Sequence, residues 1–400
     1  MRFIGLDIGR DYAHVAVVEG SGTSRRLPRV AMGDDFRAFA ATLGPDDAVA
    51  LEASSNTWAL ADLLGRHAGR VVVSNPLRTR AIASAKRKTD DIDAATLAEL
   101  LAADYLPPVW QPDAATRRLR RLVSHRAGLV RDRTATRNRA IAVLARHLLR
   151  SPATDLFGVR GRAWLASLEL PVEERIALDA ALALDAVLSE QVRAAERAIA
   201  EAVVDDPRAR RLLTIPGIGL VIAASILAVV GDIARFDRPA KLVSYLGLDP
   251  RVRQSGDRPA MRGHISRAGQ AHARGLLCEA AHSAVRSPGP LAGFHARLKA
   301  RRGAGVAIVA TARKLAVLVW HILAKDEDCR FAPPVRTAFK HRELERLAGR
   351  ERTRPPQRGA TGSSHDLGRA RLRGGHDPHQ PALRQAIDRV RPDDTSMPGA

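Results

Sequence analysis

Asp7, Glu52, Asp90 and Asp93 are the carboxylates whose positions in this sequence suit chemistry. Asp7 ends the apolar run Phe3-Ile4-Gly5-Leu6, and Glu52 ends the run Ala48-Val49-Ala50-Leu51. Asp90 and Asp93 open a stretch, Ala94-Ala95-Thr96-Leu97-Ala98-Glu99-Leu100-Leu101, that reads as a helix. A spacing of three puts Asp90 and Asp93 on one helical face and turns Asp91 away. Carboxylates from adjacent strand ends and a facing helix can converge into an all-oxygen site suited to Mg²⁺ or Mn²⁺. Two such ions about 3.5–4 Å apart would stabilise the attacking and leaving oxygens of an in-line phosphodiester displacement. The blander reading is a run of acids in a helix's first turn, where the dipole favours them. Asp7 and Glu52 upstream weigh against it.

The elements that must position these acids follow from the apolar pattern. Phe3–Asp7 and His14–Val18 flank Gly9-Arg10-Asp11 and predict a hairpin. Leu27–Ala31 suggests a third strand, Asp34–Leu43 and Thr57–Arg66 helices, and Val71–Val73 another buried strand. Three strands, a helix, then strands alternating with helices is the order of an RNase H/RuvC-like α/β domain, placed at residues 1–110. Strand-Asp-Ile-Gly before a hairpin also opens actin-like sugar kinases and ATPases. Those require a later Asp-Gly-Gly-type phosphate loop and a Gly-Gly adenosine loop, and neither occurs in a stretch predicted to be structured.

The chain carries 64 Lys+Arg against 43 Asp+Glu, a formal net charge of +21, which points to a polyanionic partner. Nucleic acid is the commonest such partner, and an anionic membrane surface is the lesser alternative. The only cysteines, Cys278 and Cys329, supply neither a disulfide framework nor a cysteine zinc site, so a reducing, cytoplasmic setting is expected. Met1-Arg2 leads straight into Phe3–Asp7 without room for a signal h-region. The uncharged run from Leu212 to Gly231 is broken by Pro216, Gly217 and Gly219. The remaining Leu220–Val230 is shorter than the ~20 residues of a membrane span.

Lys86, Arg87 and Lys88 stand directly before the acids as candidate phosphate contacts. Residues 111–206 read as a basic helical and coiled-coil region. Ala115–Arg150 holds eleven arginines against Asp132, an imbalance that favours phosphate contact, with Arg117, Arg118, Arg120 and Arg121 at its front. Leu184, Leu188, Val192, Ala195, Ile199 and Ala202 are spaced for a seam, either within an intrachain helical hairpin or between two copies. In residues 207–330, a mostly α domain, Leu212–Val221 has the form of a helix-hairpin-helix whose Gly217 and Gly219 let backbone N–H groups face a phosphate. An irregular segment, Asp249 to Gly263, carries Arg251, Arg253, Arg258 and Arg262. Residues 331–400 are expected to be a mostly disordered tail, with a possible short helix near Pro381–Val390.

The order Asp7, Glu52, Lys-Thr-Asp90-x-x-Asp93-Ala, Ile215-Pro-Gly-Ile-Gly, Ser-Tyr-Leu-Gly-Leu, Gln-Ser255-Gly and Gly263-His-Ile-Ser266-Arg-x-Gly269 resembles the DEDD transposases of bacterial insertion sequences. These are the insertion-sequence one-ten family, which includes the Piv-type DNA invertases. The resemblance spans roughly Arg2 to Ala324. It implies a RuvC-like domain joined through a helical coiled coil to a C-terminal transposase domain. It also implies action as a dimer or tetramer on element ends and target DNA, an element-encoded guide RNA, and a nucleoid-associated location. Asp7, Glu52, Asp90 and Asp93 would be the metal tetrad. Ser255, among Arg251, Arg253 and Arg258, would be the nucleophile that joins DNA covalently, completed by the acids of a partner subunit, with Ser266 as competitor. A Holliday-junction-type nuclease and a catalytically dead nucleic-acid-binding protein are the alternatives.

Overall fold

The structure, a computed structural model, describes residues 1–20, 22–83, 89–256 and 258–350, apart from the Arg262 side chain. Two compact units divide at Asp113–Ala114. The first contains β1 (Arg2–Ile8), β2 (Tyr12–Glu19), β3 (Arg25–Ala31), α1 (Asp34–Ala41), β4 (Asp47–Glu52), α2 (Thr57–Leu64), β5 (Arg70–Ser74), α3 (Pro76–Ile82) and α4 (Asp90–Ala102). Its sheet runs β3-β2-β1-β4-β5. The first three strands are mutually antiparallel, and β4 and β5 run parallel to β1.

Strand alternation sorts side chains to the two faces of this sheet. Ile4, Leu6, Val15, Val17, Val49 and Leu51 pack under Phe36 of α1 and Leu60 and Leu64 of α2. Residues of the other parity, Phe3, Ala16, Val18, Ala48 and Ala50, meet Ala94, Leu97, Ala98 and Leu101 of α4. Covering both faces explains why β4 reads as an unbroken apolar run. The strand order and layers are consistent with the RNase H-like α/β domain expected for residues 1–110.

The second unit contains α5 (Ala114–Arg146), α6 (Val159–Ala166), α7 (Val172–Val203), α8 (Pro207–Leu213), α9 (Leu220–Val230), α10 (Pro239–Tyr245), β6 (Pro250–Arg253), β7 (Met261–Ile265), α11 (Ala271–Ala284), α12 (Pro290–Arg302), α13 (Ala304–Lys325) and α14 (Pro334–Leu347). The ion pairs Arg126–Glu196, Arg137–Asp185 and Arg146–Glu174 step in opposite directions along α5 and α7, so the two helices form an antiparallel hairpin within the chain. Val192, Ala195 and Ile199 lie buried on its seam as their spacing predicted. Leu184 does not, being 41% exposed, because the seam position is taken by the next residue, the fully buried Asp185. The base of this hairpin is not set apart from the C-terminal helices: Leu119, Val123, Ile199 and Val203 share one core with Leu212, Ile218, Leu277 and Val319.

Three further features differ from the sequence expectation. The segment read as irregular contains an antiparallel ribbon, β6 paired with β7. Ordered chain continues past residue 331, because α14 buries Leu344 in the shared core and packs on α7 and α8. The remaining tail, 351–400, lies outside the described residues. Finally, α13 is the one described helix long and apolar enough to cross a membrane, and half of its apolar window is buried inside this unit.

Candidate active site

Strand register brings the first two acids together. Leu6 pairs with Leu51 across the parallel β1–β4 ladder, and Asp7 and Glu52 follow one residue on. Both have the parity of Phe3, Ala48 and Ala50, so they leave the carboxyl ends of neighbouring strands on the face covered by α4. The start of α4 is fixed locally: the Ile92 N–H donates to the Thr89 hydroxyl at 3.3 Å, and the Asp93 N–H to the Thr89 carbonyl at 3.0 Å. The helix therefore begins at Asp90, with the acids in its first turn as their spacing predicted. Gly5 sets how near it lies. A Cβ there would meet the Ala94 carbonyl oxygen at 2.0 Å and the Ala98 nitrogen at 2.5 Å, so α4 rests on bare strand backbone.

The acids sense one another. Asp7, half-buried, has its pKa pushed up to about 6 by burial first, then by Asp90, Asp93 and Glu52, with His14 opposing. Among the described residues no three His, Cys, Asp or Glu side chains form a ready-made ion cage. The donor set is nonetheless all carboxylate, and its mutual repulsion is what a divalent cation would relieve. A carboxyl raised from 3.8 to about 6 favours the folded state fully below about pH 4 and loses that contribution as pH climbs through 6. Asp7→Asn is therefore expected to melt higher than wild type at pH 7.5, with the gap closing toward pH 4, while losing activity. Thermal melts across that range check it, and a lower melting temperature at pH 7.5 would show that the Asp7 carboxylate is not strained by its burial and neighbouring charges.

Asp91 is not idle. His14, the β2 partner of Asp7 in the ladder, places Nδ1 2.6 Å from Asp91 Oδ1 and Nε2 3.6 Å from Asp90 Oδ2. Arg26 stands 3.7 Å from the other Asp91 oxygen. The first turn of α4 is thus tied to β2 and β3. The signal was available in the sequence, since His14 shares the parity of Ala16 and Val18 on the α4 face.

The basic residues divide. Lys86, Arg87 and Lys88 lie outside the described residues. Arg118 and Arg121 are exposed on α5, and Arg117 is half-buried. Arg120 is turned inward: its Nε donates to the Ala228 carbonyl at 2.7 Å and its Nη2 to Val229 at 3.5 Å, satisfying the last turn of α9. It caps a helix rather than meeting phosphate. Gly217, at φ 86°, seats the α8–α9 turn on α11, where a Cβ would meet the Ala280 carbonyl at 2.2 Å. Gly219 is the N-cap of α9, with open space at its Cα. The turn is also held from α14, where Lys340 Nζ donates to the Leu213 and Ile215 carbonyls at 2.6 and 2.8 Å. Burial pushes that lysine down to about 8. Lys340 lies in the stretch that composition had suggested was tail.

Ser255 is exposed on the loop joining β6 to β7, beside Gly256 at φ 58°. Arg251 and Arg253 of β6 and Arg258 of the loop are exposed with it, and Arg262 lies opposite Val252 in the ribbon. Ser266 is used structurally: its hydroxyl donates to Asp249 Oδ1 and its N–H to the Asp249 carbonyl, each at 2.8 Å. Gly247 and Gly269, at φ 68° and 104°, clasp the ribbon's base. A Cβ on the first would meet the Ala268 carbonyl, and on the second the Tyr245 carbonyl, at 2.2 Å each. The motifs around these glycines are therefore the mount of the serine loop.

Two family models match the chain. A model described as Transposase, of the DEDD type named for IS110, matches residues 4–148, and the Transposase IS116/IS110/IS902 family model matches residues 209–296. A probable family 20 transposase of Pseudomonas aeruginosa is 28% identical over 81% of this chain and 97% of its own length. The transposase for insertion sequence element IS1328 of Yersinia enterocolitica is 27% identical, over 79% and 95%. The pilin gene-inverting protein of Moraxella lacunata is 29% identical, over 57% and 64%. With the matched models falling on the carboxylate domain and on the helices that carry the serine ribbon, the chain belongs to the IS110-type DEDD transposases, enzymes that transpose or recombine DNA.

Proposed function

We propose that this transposase cuts and rejoins DNA at element ends and targets by metal-dependent phosphodiester transesterification. The observation that carries the reading is the emergence of Asp7 and Glu52 side by side beneath the first turn of α4. Asp7, Glu52, Asp90 and Asp93 would hold Mg²⁺ or Mn²⁺, which would supply charge stabilisation to the pentacoordinate phosphorus of the transition state. Ser255 Oγ attacks phosphorus and releases its proton to water. The Oγ–P bond forms as the bond to the leaving deoxyribose oxygen breaks, and that oxygen takes up a proton. Arg251, Arg253 and Arg258 orient the phosphate by charge-assisted hydrogen bonds. The exposed Arg118 and Arg121, the helix-hairpin-helix turn at Gly219, and Lys86–Lys88 contact backbone phosphates. Copies of the chain act as a homodimer or homotetramer with an element-encoded guide RNA, on nucleoid DNA in a bacterial cytoplasm.

A Holliday-junction-type nuclease would need the acids but not Ser255. Trapping a protease-sensitive adduct on labelled element-end DNA separates the two. Wild type is expected to form it with Mg²⁺, Ser255→Ala to bind DNA without forming it, and Asp90→Ala to lose cleavage by about a thousandfold or more, the scale of several kcal/mol of charge stabilisation. Normal recombination by Ser255→Ala sinks the serine mechanism, and normal recombination by Asp90→Ala sinks the metal site.

A further inference from the structure

Between α12 and α13 runs a groove of about 610 Å³, within the roughly 300–1,000 Å³ typical of ligand sites. Its walls are apolar, formed by Leu291, Phe294, Val317 and Leu318, with Phe331 44% exposed at its mouth. Its rim carries cations beside two acids, Glu327 and Asp328. The Lys314 ammonium stands 5.7 Å from the centre of the Phe294 ring, and Lys325 and Arg330 are exposed beside it. From Phe294 onward α12 carries Arg297, Lys299, Arg301 and Arg302, all exposed, on a helix with no buried residue.

Each half of this surface excludes a class of partner. An apolar peptide would fill the groove and leave the α12 cations without complement. A DNA duplex would satisfy those cations, but its bases are stacked and cannot enter an aromatic groove. An unpaired strand satisfies both, with phosphates along α12 and base faces against Phe294 and Phe331. Glu327 and Asp328 also line the groove. They repel phosphate, which confines the backbone to the α12 side, and they can accept hydrogen bonds from exocyclic amino groups. We infer that the α12–α13 groove binds unpaired nucleotides of single-stranded DNA. The inference rests on the DNA-recombining activity, since cutting and transferring strands leaves nucleotides unpaired, but it requires neither the carboxylates nor Ser255.

The test is fluorescence anisotropy of the full chain, in metal-free buffer, with a short mixed-sequence DNA oligonucleotide and its duplex. Phe294→Ala/Phe331→Ala should weaken single-strand binding by at least the roughly 5- to 160-fold expected for losing one base stack, and leave duplex affinity within about twofold. Phe294→Leu/Phe331→Leu, which keeps the apolar volume and the fold, should lose single-strand binding as well. Arg301→Glu/Arg302→Glu should flatten the salt dependence. Unchanged single-strand affinity, equal loss on duplex, or wild-type binding by the leucine variant overturns the proposal. Tighter, phenylalanine-dependent binding of the matching RNA overturns it in favour of an RNA site. Asp90→Ala should bind the strand normally, so failure of the metal mechanism and failure of this site give different results.

Discussion

Replacing Gly5 by alanine is expected to reduce DNA cleavage and strand transfer to background in a chain that still folds. The added Cβ would lie 2.0 Å from the Ala94 oxygen and 2.5 Å from the Ala98 nitrogen. Both are helix backbone, so no side-chain rotation relieves the clash and α4 must retreat by more than about 1 Å. A displacement of that size already costs about a hundredfold when it separates reacting groups. Here it moves Asp90 and Asp93 together while Asp7 and Glu52 stay on the sheet. The stability cost is smaller, about 1–3 kcal/mol, because overpacking at a helix–sheet contact is partly absorbed by the shift itself. Gly128→Ala is the control: it lies in α5 with nothing within 4 Å of its Cβ and should stabilise by up to about 1 kcal/mol. Cleavage assays and metal titration on both variants decide the matter. Gly5→Ala with wild-type activity would mean that α4 does not position the acids.

Gly5 also shows where sequence reading stops. Periodicity of two and the end of each apolar run were enough to place Asp7 and Glu52, and spacing of three was enough for Asp90 and Asp93. Those signals are local. The contact between Gly5 and Ala94 joins residues far apart in sequence, and an isolated glycine in a strand has several bland explanations. Asp91 was read as turned away because helical spacing describes one element, whereas His14 arrives from another. Arg120 looked like its neighbours Arg118 and Arg121 in a run of charge, and only the end of α9 at Ala228 and Val229 distinguishes it. The β6–β7 ribbon was missed because its strands are short, with Val252 and Met261 both exposed and no apolar face to betray alternation. The tail boundary was set too early because α14 is rich in charge. It is held by ion pairs and by Lys340 as much as by Leu344, and composition scores only the last kind of contact.

The same limit applies to Asp185, whose replacement by alanine should be the most destabilising single change in the second unit. The spacing read from α7 put Leu184 on the seam, yet the carboxylate of Asp185 sits fully buried there instead. Its Oδ1 accepts from Arg137 Nε of α5 at 2.6 Å, and its Oδ2 accepts from Arg162 of α6. Arg137 also lies 4.6 Å over the Phe157 ring, and Arg162 donates to the Phe157 carbonyl at 2.9 Å. One carboxylate thus ties three helices and the intervening loop together. Deleting it leaves two guanidiniums without their counter-charge in a partly desolvated place, a loss of about 3–5 kcal/mol for buried pairs. Both arginines are about one-third exposed, so water recovers part of this and the lower end of that range applies. For a unit of this size the expected fall in Tm is roughly 10 °C. Replacing Asp185, Arg137 and Arg162 together by apolar residues should restore most of it, because the cost lies in the orphaned charges rather than in the missing bridge. Hydrogen exchange locates the damage: Asp185→Ala should lose protection in α6 and the adjoining ends of α5 and α7 before the core around Leu212 and Leu277 does. Uniform loss across the unit would mean instead that the triad supports the shared core and not the hairpin's far end.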